Sequence, residues 1–326
     1  MLNPEAKLIN DLSKPEMVPT RDGYGKAMAE VVGNDTRVVV LCADLTESTR
    51  SDGFKNKFPD RFIQVGVAEQ NLALVASGMA NYGKIPFIAS YAAFNPGRNN
   101  EQIRTNIAIN NVPVKIIGAH AGVSVGPDGA THQALEDVAL MRVLPRMVVV
   151  VPCDAVEAHK ATIAIAFNQQ PSYVRLGREK SPVITTSATP FEIGQAIVMR
   201  EGKDCTIIGC GILLHNALLA AEELSKEGIE CAVINSHTIK PFDNKTLVDS
   251  VKITGAVVSI EEHQIAGGLG SVVAETLAKE HPTPQEFIGL QDRFGESGTA
   301  EELVEACGLG ISHIQVAVKK VIARKK

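Results

Sequence analysis

The chain has 326 residues, a formal net charge of −5 and 45% hydrophobic residues, a length that accommodates about two domains with separate cores. No segment gathers Lys and Arg with interleaved aromatics, and no apolar run reaches the length of a bilayer span, so neither a nucleic-acid nor a membrane partner is expected. Its six cysteines are scattered without C-x-x-C spacing, and an N-terminus that mixes charges and prolines does not read as a leader, which together point to buried thiols in a reducing, cytoplasmic setting.

After a polar lead over residues 1–18, residues 24–32 have the pattern of a helix and 37–42 that of a buried strand ending at Asp44. Ala68, Leu72, Val75, Ala76 and Met79 recur at helical spacing, with Gly83 as the stop. Residues 85–90 read as a strand, 98–110 as a helix and 112–118 as a buried strand. A glycine-rich loop then runs from His120 through Asp128 to His132. A short helix, a strand over 147–151, an Ala-rich helix over 154–168 and a strand over 172–176 follow. The stretch 179–191 carries Pro182, Pro190 and several Ser and Thr without periodicity, and reads as a linker. Beyond it, strands over 205–210, 231–236 and 256–260 alternate with helices over 215–227 and 244–252 and a glycine-opened helix from 267 to about 280. The basic terminus, Lys319, Lys320, Arg324, Lys325 and Lys326, reads as a solvated helix end favoured by its dipole.

Alternating helices and aliphatic strands, with no Trp and 4% aromatics, predict an α/β protein with two doubly wound, mostly parallel sheets. The expected divisions are a lead over 1–18, a first domain over 19–180, a linker over 181–191 and a smaller second domain over 192–326.

The loop from His120 to His132 places two imidazoles and a carboxylate at the carboxyl end of a strand, where open α/β sheets bind ligands. Asp44, Ser48, Glu69 and Phe94 also follow strand ends. Taken singly, Glu69 is a first-turn helix acid, Phe94 a core ring and Asp44 a turn residue. Jointly they crowd one sheet edge with polar and aromatic groups. Gly267-Gly-Leu-Gly270 reads more readily as close packing than as an anion seat. Glu261, Glu262 and His263 are adjacent on a strand and so alternate in face, which favours structural roles over a metal cluster. No metal site is expected on this chain.

Gly66-Val-Ala-Glu69-Gln-Asn71, Ser90-Tyr-Ala-Ala-Phe94, Asp128-Gly-Ala-Thr-His132-Gln133 and Glu261-Glu-His-Gln-Ile-Ala-Gly-Gly-Leu-Gly270 together resemble the transketolase family of thiamin-diphosphate enzymes. The resemblance runs from about Pro19 nearly to the end and matches the second half of a full-length transketolase, the pyrimidine-binding domain followed by the C-terminal domain. It implies that Glu69 hydrogen-bonds N1′ of the cofactor's aminopyrimidine, favouring the imino tautomer that takes the proton from thiazolium C2. It implies that Phe94 stacks on the pyrimidine with Tyr91 nearby, and that Asp44 is an acid close to the cofactor. His120, Asp128 and His132 would bind the ketose donor's hydroxyls, while Arg21, Ser48 and Arg178 would hold the sugar phosphate through charge-assisted forks. Arg175 competes with Arg178 for that last role.

The implied reaction is transfer of a two-carbon ketol unit from a ketose phosphate to an aldose phosphate. Gly97 stands where the family usually has a tyrosine and Pro127 where many relatives have an acid, so acceptor preference is open. No Gly-Asp-Gly with a downstream Asn occurs in the sequence. Mg²⁺ (or Ca²⁺) and the diphosphate would therefore be held by an N-terminal partner subunit, in an α2β2 assembly, and the chain should not work alone. Deoxyxylulose-phosphate synthase and the β subunit of 2-oxoacid dehydrogenases are the competing enzymes. A non-catalytic dimerising or regulatory subunit is the competing class, against which Glu69 and both histidines count.

Overall fold

The computed structural model describes residues 1–325; Lys326, the last of the basic terminal residues, lies outside them. In chain order the strands are β1 (Glu16–Pro19), β2 (Val38–Cys42), β3 (Phe62–Gln64), β4 (Ile85–Tyr91), β5 (Lys115–Ala119), β6 (Val148–Val150), β7 (Ser172–Arg175), β8 (Lys180–Val183), β9 (Ile197–Arg200), β10 (Cys205–Gly209), β11 (Cys231–Asn235), β12 (Thr238–Lys240), β13 (Val257–Gln264) and β14 (Gln285–Leu290). The helices are α1 (Thr20–Glu30), α2 (Asp52–Lys57), α3 (Glu69–Asn81), α4 (Asn100–Gln102), α5 (Asp137–Arg142), α6 (Ala155–Ala166), α7 (Leu214–Lys226), α8 (Asn244–Thr254), α9 (Leu269–Glu280), α10 (Ala300–Ala306) and α11 (Ile311–Ile322).

Two large sheets form, as the alternation predicts. The first has the order β12-β6-β7-β5-β4-β2-β3, parallel except for β12, and the second the order β14-β13-β10-β11-β9, parallel except for β9. Every residue of β2, β5, β10 and β11 is buried. That explains why these strands are unbroken apolar runs and not alternating ones: helices cover both faces of each sheet.

The chain enters the first sheet at β2, steps outward to β3, then crosses back over β2 to β4. Loops leaving β2 and β4 therefore diverge to opposite sides and open a crevice at the carboxyl edge, the topological switch point. Register aligns the ends: Cys42 is level with Gln64 and Ala89, Tyr91 with Ala119, and Gly118 with Arg175. All the loops expected to carry polar groups thus open onto one edge.

Four local expectations are corrected. Residues 98–110 do not form a regular α-helix: α4 passes into a π-wound turn over Ile103–Ala108. The stretch read as a linker opens with β8, which pairs antiparallel with β1 in the polar lead. The lead also reaches the second sheet, where Asn3 N–H donates to the Met199 carbonyl and Leu2 bridges Arg200. Finally β12, from the second half of the sequence, closes the edge of the first sheet against β6. The two sheets share chain segments on both sides of residues 181–191.

Candidate active site

Glu69 is the first residue of α3, and its side chain is 1% exposed. The turn that positions it is built by asparagines: Asn99 Nδ2 donates to the Glu69 carbonyl and to Asn95 Oδ1, and Asn95 Nδ2 donates to the carbonyls of Ile88 and Ile117. Two buried amides thereby tie the start of α3 to β4 and β5. The Glu69 carboxylate faces Arg98, whose Nη1 is 3.3 Å from Oε2. Arg98 also lies over the Phe94 ring, 5.2 Å from its centroid.

From Phe94 a row of rings crosses the crevice. Tyr91 stacks on Phe94 at 6.1 Å and on His120 at 3.9 Å, and His132 meets the Phe94 edge at 5.5 Å. His120 is buried. Burial first, then the guanidinium groups of Arg21, Arg178 and Arg50, push its imidazole down to about 3. Its Nε2 is 3.2 Å from Arg21 Nη1. A guanidinium can only donate, so Nε2 accepts and the neutral ring carries its proton on Nδ1, a buried donor that meets no protein partner.

Arg21, near the start of α1, donates its Nη1 to the Ser48 carbonyl at 2.7 Å. Burial and the Arg50 guanidinium lower its pKa from the usual value, and its Nε is buried without a partner. Ser48 thus meets Arg21 through its main chain. Arg178 donates to the Val125 carbonyl and pairs with Asp128 at 3.2 Å and Glu179 at 3.3 Å. Asp128 therefore engages Arg178. Three guanidinium groups surround a neutral imidazole, two of them already paired with carboxylates, Arg50 with Asp22 at 2.6 Å and Arg178 with Asp128 and Glu179.

Arg175 is excluded from that set. It is buried, pairs with Asp137 at 2.9 Å, and donates to the carbonyls of Ala134 and Glu262. It clamps α5, the loop and β13 together. Asp44 also stands apart from the rings: it has φ +60 and an exposed side chain, and its N–H donates to Gln64 Oε1.

The loop from His120 to His132 is shaped from the second domain. Glu262 Oε1 accepts from the Ser124 N–H at 2.5 Å; burial pushes this carboxyl up, against the lowering effect of Arg175 and Ser124. Gln133 Nε2 donates to the carbonyls of Val123, Gly126 and Glu296. Gly122 has φ +89, and a Cβ there would fall 2.3 Å from Glu262 Cδ. Glu261 receives the N–H groups of Leu269 and Gly270 at the start of α9. The glycine motif therefore packs and is capped by an internal carboxylate, as expected. Among the described residues no three His, Cys, Asp or Glu side chains gather as a metal set.

Sequence reasoning missed Arg50, Arg98 and the asparagine pair. Arg50 lies two positions beyond Ser48, and Arg98 four beyond Phe94, spacings that carry no recognisable pattern by themselves. Gly97 packs against the Ala93 carbonyl, where a Cβ would approach to 2.1 Å. A side chain at that position does not fit the present backbone.

Family models match in chain order: the transketolase pyrimidine binding domain over residues 16–183 and the transketolase C-terminal domain over 194–314. The chain is 40% identical over 305 residues to the 6-deoxy-6-sulfo-D-fructose transketolase subunit SqwH of Clostridium sp. (strain MSTE9), covering 94% of this chain and 95% of that one. It is 39% identical over 313 residues to transketolase-like protein 2 of Mus musculus, covering 95% of this chain but 49% of the mouse protein. A solved structure described as split gene transketolase, inactive beta4 tetramer, superposes with a TM-score of 0.89 at 45% identity, covering 95% of this chain and all of that one. With both domains matched, at these identities and with this fold, the chain belongs to the transketolase family and carries its pyrimidine-binding and C-terminal domains.

Proposed function

We propose that the chain is the C-terminal subunit of a thiamin-diphosphate-dependent transketolase and becomes active when an N-terminal subunit supplies the diphosphate and metal ligands, in an α2β2 assembly. The observation that carries this reading is the row from Glu69, joined through Arg98 to Phe94, and on through Tyr91, His132 and His120 to Arg21, with Arg178 beside it. One end suits an aminopyrimidine and the other a tetrahedral anion, with hydroxyl-binding groups between.

The residues fit the cofactor's ring. Glu69 offers a buried carboxylate to hold the proton at N1′, and Phe94 offers a flat face beside it. Thiamin diphosphate, when bound, supplies the carbanion chemistry. His120 donates its free Nδ1–H toward the donor's polar groups, held in that tautomer by Arg21. His132, hydrogen-bonded through Nδ1 to Thr131 Oγ1 at 2.9 Å, lies between the ring seat and the anion end. Arg21 and Arg178, backed by Arg50, bind the sugar's terminal phosphate, and Asp128 is the acid that releases Arg178 to the ligand or shares it. Asp44 takes a place near the cofactor only in the assembled enzyme.

A second donor is favoured by one observation: the relative at 40% identity is named for a sulfonated ketose. A sulfonate and a phosphate share the tetrahedral oxyanion geometry that guanidinium forks recognise. Product analysis tests the reading. The two-subunit complex should pass a two-carbon unit to erythrose or ribose phosphate, with phosphate- and sulfonate-terminated ketoses compared as donors. Pyruvate consumption with release of carbon dioxide would overturn it in favour of a synthase or dehydrogenase subunit. Absence of both turnover and cofactor binding would favour a non-catalytic subunit.

A further inference from the structure

Arg98 stands where the proposed function places the aminopyrimidine. Its guanidinium is 3.3 Å from Glu69 Oε2 and lies over the Phe94 ring at 5.2 Å, so it engages both groups that the cofactor ring would need. A guanidinium is a planar, hydrogen-bonding cation that stacks on aromatic faces. It mimics the ring in shape and in polarity.

The surrounding backbone is tied down by buried hydrogen bonds, while this side chain is half-exposed. Asn99, next in sequence, is buried and tied to the Glu69 carbonyl and to Asn95. Arg98 itself is 53% exposed, against 1% for Glu69. A change of rotamer is enough to move the guanidinium into solvent without disturbing the asparagine post that holds Glu69. The turn also retains buried polar atoms without partners, Asn99 Oδ1 and Asn100 Nδ2. Its hydrogen-bonding capacity is incomplete when Arg98 lies inward.

We infer that Arg98 is a gate residue of the pyrimidine seat, a resident occupant of the Glu69–Phe94 slot that swings outward before the cofactor ring can engage it. This rests on the proposed function. A site that is competent only when open binds with its intrinsic affinity reduced by the open fraction. The closed state is held by an ion pair whose cation is half-exposed and by a cation–π contact 5.2 Å from the ring centroid. The gate therefore slows and weakens admission without blocking it, and protects a buried carboxylate from standing unpaired.

The test uses the two-subunit complex with Mg²⁺ and thiamin diphosphate as the probe, measuring equilibrium binding and the association and dissociation rates. Arg98→Met keeps the aliphatic stem and removes the charge. It should tighten binding about three- to tenfold through faster association, with dissociation unchanged, and Arg98→Lys should lie between it and the parent. Weaker binding or faster dissociation in Arg98→Met would show that Arg98 holds the cofactor, and unchanged binding would show that it does neither; each overturns the gate alone. Failure of the parent complex to bind thiamin diphosphate would overturn the functional reading and the gate with it.

Discussion

The proposed function rests most heavily on two side chains, and each makes a prediction that does not depend on the other. Glu69 is buried at a helix start, with its main chain fixed by Asn99. Glu69→Gln preserves volume and one acceptor but cannot hold a shared proton. Turnover of the assembled enzyme should fall by about two orders of magnitude or more, with little change in thermal midpoint; undiminished turnover would remove Glu69 from the mechanism. His120 should be visible in the pH dependence of stability. Its native imidazole is held near 3 and its ordinary value is 6.5, so between these limits the unfolded chain binds the proton and the folded one does not. Stability is therefore lost as pH falls from about 6.5 toward 3. His120→Gln should flatten that slope in denaturant titrations from pH 4 to 7, and an identical slope in both proteins would contradict the neutral, buried imidazole.

At the scale of elements, the loop from His120 to His132 is held by partners remote in sequence. Glu262 grips it at Ser124 and leaves no space for a Cβ at Gly122. Gly122→Ala would force a side chain into a backbone region that glycine almost alone occupies, costing about 1–3 kcal/mol, and would press on Glu262. The expected result is a lower thermal midpoint and a KM for the donor raised more than kcat is reduced; unchanged values of both would show that the loop shape does not set the site. These same elements mark what the sequence could reveal. β2 and β5 were legible because a strand buried on both faces must be an unbroken apolar run, and α3 because its buried face repeats at helical spacing. β3 and β12 are three residues each, too short for any period. β8 escaped notice because its partner β1 lies more than 160 residues away. The π-wound turn leaves no pattern in composition. At the site, the rings and histidines were legible from their order along the chain, but the Arg98–Glu69 pair and the Glu262 clasp are tertiary and could not be read from spacing.

At the scale of the whole molecule, two mostly parallel sheets are laced together, with the N-terminal lead on the second sheet and β12 on the first. Glu262 and the Glu296 carbonyl, both from the second half of the chain, hold the loop directly at Ser124 and Gln133, so the second domain is part of the site's construction. The crevice at the switch point brings together the Glu69 carboxylate, the row of rings and the guanidinium groups that the proposed function assigns to an aminopyrimidine and an anion. Under the proposed function the activity belongs to an assembly, in which a partner subunit supplies the diphosphate and metal ligands. The measurement that tests this most directly is transfer of a labelled two-carbon unit from a ketose phosphate to an aldose phosphate, in the presence of thiamin diphosphate and Mg²⁺, by the purified chain alone and after mixing with a subunit that carries the diphosphate- and metal-binding domain. The proposed function predicts no transfer by the chain alone and transfer on mixing; full activity without a partner, or none with it, would contradict it.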